Sequence, residues 1–240
     1  MEFFFFYFYF FYFDDVDGLS LLTQHIRMKY DSMRQVLTDH LKVLTIMPTV
    51  AMAAFQLTPK QSELTHVSVN SIHKCVFCTL LHCELARMSG WLNPLELMAV
   101  TSEVANESLT KEDSAIRIYA QQFAKEPHNC NYSSLAEAIG ESSARNVCAL
   151  CWFLHWGATS GNLIMGTLML KPSKMNPLAR VLFCLYYAPL FILIVAVGNL
   201  LKLFPSKGPK FVNQALGVVL AICASIWILP IGIFASICTC

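Results

Sequence analysis

Charge is scarce in this chain of 240 residues: Asp, Glu, Lys and Arg make up 14% of it, against 55% hydrophobic residues. Soluble domains carry about a quarter charged residues, so part of the chain is expected to lie in lipid. Acids are missing altogether from residues 142–240, which hold seven Lys and Arg. Residues 1–141 hold all sixteen acids and ten Lys and Arg, a balance of −6, so the two parts suit different surroundings. No basic stretch interleaved with aromatics occurs, and no nucleic-acid partner is expected. Sustained polar–apolar alternation is also missing, which leaves no candidate sheet.

The opening residues, MEFFFFYFYFFYF, lack the positive region and small-residue cleavage site of a secretory signal. Phe3 to Phe13 are eleven consecutive aromatics, too few to span a bilayer as a helix. Residues 1–19 are therefore read as an aromatic leader of poor order, outside the folded domain. Ten cysteines would suggest a disulfide framework only in a short chain with such a signal.

What is present is helix after helix over residues 20–170, an all-α domain. Leu21 to Ile46 carries apolar residues at helical spacing (Leu22, Ile26, Met33, Leu37, Leu41, Leu44), and the helix is expected to stop at Pro48. Thr58-Pro59-Lys60-Gln61 is a capping box with proline at the first helical position, and Asn93-Pro94-Leu95-Glu96 repeats the logic. Asn70-Ser71 is a candidate break, before a helix from about Cys75 to Met88 that Gly90 closes. Thr110 starts another helix, which Pro127 ends, and a long one follows from Ser143 to about Met165.

Residues 178–240 read as a transmembrane hairpin. Val181 to Leu201 is twenty-one residues with Asn199 as the only strongly polar member, and Ala215 to Cys238 is twenty-four residues without a charge. Each run is long enough to cross roughly 30 Å of hydrocarbon as a helix. Pro189 and Pro230 can kink such spans without forbidding them.

The sharpest chemistry lies in CVFCTLLH, residues 75–82. Cys75 and Cys78 stand one helical turn apart on one face, and His82 follows Cys78 by four on the same face. A helix N-terminus, with His73 and Lys74 just before it, favours thiolate over thiol, and the thiolate is the nucleophile. His82 can move the proton, because imidazole titrates near neutrality. Cys-x-x-Cys also suits half a zinc site or a packed core. No convincing second pair completes a zinc ribbon or finger, however, and the three residues together favour redox chemistry.

Residues 57–90, LTPKQSELTHVSVNSIHKCVFCTLLHCELARMSG, resemble the signature of the alkylhydroperoxidase AhpD and carboxymuconolactone decarboxylase family. That signature is a Glu, eleven residues, Cys-x-x-Cys-x-x-x-His, and a Gly closing the helix; here it falls on Glu63, Cys75, Cys78, His82 and Gly90. One departure is His73-Lys74, where members often carry Asn-Gly. The resemblance covers about residues 20–168 and implies an AhpD-like helical bundle. It implies a thiol-dependent peroxidase or disulfide oxidoreductase that reduces alkyl hydroperoxides. Cys78 would be the peroxidatic thiol, Cys75 the resolving one, and Glu63 with His82 the proton relay. A dithiol or lipoyl-type protein would be the reductant, the chain would form a homo-oligomer, and no cofactor or metal is expected. Alternatives are a non-redox lyase like the decarboxylase branch, or a membrane-anchored binding protein with a decayed site.

CALCWFLH, residues 148–155, repeats the spacing with Cys148, Cys151 and His155. It lacks the matching Glu, since Ala136 stands twelve residues before Cys148, and Trp152, Phe153 and Trp156 surround it. Core packing is the expected role, and Cys83 is read as a bystander. A thiol pair that must return to the reduced state belongs in a reducing compartment, so an integral membrane protein with its catalytic domain on the cytosolic side is expected. Lipid-derived hydroperoxides are the preferred substrates.

Overall fold

The computed structural model describes residues 30, 32–102, 108–170 and 172–185. Within them the chain is all-helical: α1 (Met33–Gln56), α2 (Pro59–His73), α3 (Val76–Ser89), α4 (Pro94–Thr101), α5 (Lys111–Lys125), α6 (Tyr132–Ile139) and α7 (Glu141–Leu168). Residues 177–185 are also helical. No described helix is long and apolar enough to cross a membrane. The aromatic leader and nearly all of the expected hairpin lie outside the described residues.

Local signals set most helix starts. The Thr58 side chain accepts from the Gln61 amide at 3.2 Å, and the Gln61 side chain accepts from the Thr58 amide at 3.0 Å. Asn93 and Glu96 exchange the same two bonds at 2.9 and 2.8 Å. Each box satisfies two of the amides that a helix start leaves without intrahelical partners. Thr110 caps α5 through the Asp113 amide. Gly90, at φ 65°, closes α3 in the left-handed conformation that glycine adopts without strain.

Two expected ends moved. The first helix does not stop at Pro48 but runs through it to Gln56. A proline inside a helix forfeits one backbone bond. Here the turns beyond it bury Ala53 and lead to buried Leu57, and α1 packs along α7, which outweighs that loss. The buried face of α1 includes Val36 and Val43, while Leu41 is exposed. The Asn70-Ser71 break is likewise absent: α2 continues to His73 and ends at Lys74, whose φ of 54° is the left-handed region that turns the chain into Cys75.

Helix α2 is the hub, packing against α3, α4, α5 and α7. Leu64 and Val67 of α2 meet Ile116, Ala120 and Phe123 of α5 and Val147 and Leu154 of α7 in one core. Polar contacts fix the helix ends. Lys60 reaches Glu96 of α4 at 2.7 Å and Asp113 of α5 at 2.8 Å, joining three helices through one ammonium. Burial works against that charge, but the two carboxylates outweigh it and raise the lysine pKa. Arg117 and Gln121 of α5 donate to the Ala99, Val100 and Ser102 carbonyls at the end of α4. Asn162 of α7 donates to the His73 carbonyl, where α2 turns toward the first cysteine.

Lys60→Met should leave Glu96 and Asp113 facing each other without their shared cation. We expect a loss of about 1–3 kcal/mol, below the roughly 3–5 kcal/mol of a fully buried broken pair, because Lys60 is partly exposed. Urea unfolding of the variant checks this, and a midpoint equal to that of the parent chain would contradict the clamp.

Candidate functional site

The end of α2, the turn at Lys74 and the start of α3 bring the expected residues together. Cys75 is the N-cap of α3 and is buried, at 1% exposure, while Cys78 in the first turn is half-buried. Their sulfurs are 2.6 Å apart. An S–S bond is about 2.05 Å, so the pair can close into a disulfide with a small movement. The backbone at the first cysteine is tied to the end of α2: the Cys75 amide donates to the Asn70 carbonyl at 3.2 Å.

Glu63 and His82 meet across the α2–α3 junction, with Oε2 and Nδ1 3.0 Å apart and one proton between them. Glu63 is buried at 7% exposure. Burial pushes its pKa up to about 7, with the charge of His66 pulling the other way. Burial also pushes His82 down to about 3. Both shifts have one cause, the cost of a charge in a low-dielectric interior, and both favour a neutral carboxylic acid beside a neutral imidazole, with one hydrogen in the contact they share.

His66, which was not singled out in the sequence, belongs to the same group. Its ring stacks on that of His82 with centroids 3.9 Å apart and 26° between planes. Its Nδ1 lies 2.8 Å from the Ser62 carbonyl oxygen. A carbonyl can only accept, so Nδ1 carries the hydrogen and Nε2 keeps a lone pair. The legible signal was Glu63-x-x-His66, which puts a carboxylate and an imidazole on one helical face. Asn162, which holds the His73 carbonyl, had no local signal because it comes from α7.

The thiols differ from expectation in their electrostatics. The Cys78 pKa is raised, first by its contact with the Cys75 thiol and then by burial. The cations expected to lower it are elsewhere. Lys74 is exposed, and the His73 ring packs edge-on against His155 with centroids 4.8 Å apart. Among the described residues no hydrogen bond joins either thiol to His82 or Glu63, so the thiol pair and the carboxylate–imidazole pair are adjacent but separate.

The second motif lies along α7. Cys151 is fully buried, and Cys148 packs on the edge of the core. Trp152 meets Phe123 edge-on at 4.9 Å, and Lys42 of α1 lies 3.3 Å above the Trp152 ring. Burial pushes the Cys151 thiol pKa well up. Cys83 is half-buried, and burial lifts its pKa to about 12. Comparison with family models, with curated proteins and with solved structures returns no match.

Alanine at both Cys148 and Cys151 should leave oxidation of the Cys75–Cys78 pair at most of its rate. The double variant should lose about 1 kcal/mol of stability for the buried Cys151 sulfur, by analogy with a buried methylene, and less for the half-buried Cys148. Mass spectrometry of peptides after peroxide treatment reads the first outcome, and thermal unfolding reads the second. A folded double variant that no longer forms the Cys75–Cys78 disulfide would make the α7 motif part of the redox site.

Proposed function

We propose that this chain is a thiol-dependent peroxidase or disulfide oxidoreductase of the AhpD-like type, acting on alkyl hydroperoxides. The observation that carries this reading is the pair of sulfurs 2.6 Å apart at the start of α3, beside a buried Glu63–His82 pair in hydrogen-bond contact. In the first step the Cys78 thiol gives up its proton through His82, which shares its helical face one turn on, and Glu63. A bound hydroperoxide or a water carries the proton across.

The Cys78 sulfur then attacks the outer peroxide oxygen. An S–O bond forms, the O–O bond breaks, and the sulfur is oxidised to a sulfenic acid. The departing alkoxide takes the proton from the relay and leaves as the alcohol. The Cys75 sulfur attacks Cys78, forming the S–S bond and releasing water with the Cys75 proton. A dithiol or lipoyl-type protein restores both thiols by exchange and leaves as its own disulfide. A homo-oligomer is part of the same reading.

The reading includes a membrane tether. Leu178, Val181, Leu182 and Leu185 are exposed and recur at the spacing of one helical stripe, at the entry to the first long apolar run. An apolar stripe facing outward there suits lipid, with the catalytic helices on the cytosolic side and lipid-derived hydroperoxides within reach.

Cys78→Ser should abolish peroxide consumption, and Cys75→Ser should allow one turnover and then hold a sulfenic acid that dimedone labels. His82→Ala should slow thiol oxidation by about a hundredfold or more, the scale of general acid–base catalysis, with Glu63→Gln acting in the same direction. Stopped-flow thiol oxidation checks each variant. Full activity in Cys78→Ser would remove the nucleophile assignment, and an unchanged rate in His82→Ala would remove the relay.

The tether is tested by expressing the full chain and a version ending at Lys174, followed by carbonate extraction of the membranes. We expect the full chain in the pellet and the shorter one in solution with activity. Release of the full chain by carbonate would count against the hairpin.

A further inference from the structure

His66 has no part in the redox steps, yet it completes a set of metal-ligating atoms. Glu63 and His66 lie one turn apart on α2, and His82 reaches them from α3. One carboxylate oxygen and one nitrogen from each imidazole all lie within 4.8 Å of one another. Among the described residues no other group of three His, Cys, Asp or Glu side chains comes this close. We propose that Glu63, His66 and His82 form a binding site for a divalent transition metal of the zinc class.

Three observations point to an ion rather than a chance cluster. The first is spacing. Ligands at about 2.0–2.1 Å from a tetrahedral ion stand roughly 3.3 Å apart, and the Glu63–His82 contact is already 3.0 Å. A modest closure brings in the third atom. The second is the tautomer of His66. Its Nδ1–H is held by the Ser62 carbonyl at 2.8 Å, which leaves the Nε2 lone pair as the one that can take an ion. A backbone carbonyl on the far nitrogen is the usual outer-shell device that orients a metal-binding histidine.

The third is chemistry. Two imidazoles and one carboxylate suit zinc, ferrous iron, cobalt or nickel, and supply too few oxygens for calcium or magnesium. His82 would bind through Nδ1 as its Nε2–H tautomer, in place of the proton it shares with Glu63. Three protein ligands leave one tetrahedral position open, the pattern of catalytic rather than structural sites. No thiol belongs to the set, so the proposal stands independently of the peroxidase reading.

The test uses the full chain in detergent, with thiols reduced and no peroxide present, and Co²⁺ alone as the probe. We expect one Co²⁺ per chain, visible ligand-field absorption without a thiolate charge-transfer band, and displacement by Zn²⁺. The Cys75→Ser, Cys78→Ser double variant should bind Co²⁺ with the same affinity. Glu63→Gln, His66→Gln and His82→Gln should each weaken binding by more than the about 10–100-fold that loss of an outer-shell partner costs.

Because a variant can misfold, the unmutated chain supplies a second readout. Zn²⁺ should move the imidazole ¹⁵N signals of His66 and His82 and leave those of His73 and His155 in place. Absence of Co²⁺ binding, a thiolate band that vanishes in the cysteine variant, or an unmoved His66 signal would each overturn the site. None of these outcomes depends on peroxide turnover, so failure of the peroxidase reading would register separately.

Discussion

A buried carboxyl group must be neutral or partnered, and in this protein that demand falls on the central helix. α2 carries Glu63, Thr65, Ser68, Asn70 and His73 in buried positions while packing on four other helices. Glu63 finds its partner in His82, which lies on α3. That contact therefore joins two helices as well as two side chains. It fixes the face α3 turns toward α2, and Cys78 lies one turn back on the same helix. Lys60, one turn before Glu63, ties the other end of the junction to α4 and α5. Site and core are held by the same few polar contacts.

The interior also decides how the thiols behave. Placing Cys75 at a helix start would by itself favour the thiolate, since that end of a helix carries partial positive charge. Burial and the neighbouring thiol win instead and raise the Cys78 pKa. On the proposed reading the proton relay then offsets what the neighbouring thiol and burial take from the reactivity of Cys78. A neutral Glu63–His82 pair suits the task, since it rests without a buried charge and carries one only while it holds the Cys78 proton.

Features that depend on neighbours in sequence were legible from it. The boxes at Thr58 and Asn93, the closing Gly90 and the all-helical character are written within four residues of where they act. The shared face of Cys75, Cys78 and His82 was legible from their spacing, but their pairing with Glu63 came from the resemblance, since nineteen positions separate Glu63 from His82 and no periodicity links two helices across a turn. The run of α1 through Pro48 was hidden because packing along α7 overrides a local rule. The Lys60 fork and the Asn162 bond were hidden for the same reason, each being a contact between distant helices. His66 was legible at its spacing from Glu63, but an imidazole on a helix face draws notice only once its ring is seen on His82.

The two proposals for the junction are linked by the atoms they use. A relay needs the Glu63 oxygen and the His82 nitrogen to share one proton. A bound ion needs the lone pairs of those same two atoms. They lie 3.0 Å apart, and there is no room on them for both a proton and an ion. Occupancy by metal therefore removes the relay and, with it, the path by which the Cys78 proton leaves. Occupancy by the proton leaves His66 only its stacking on His82 and its pull on the Glu63 carboxyl. The His66 Nε2 lone pair, held in place by the Ser62 carbonyl, separates the two states: it is idle in the relay and necessary to the ion.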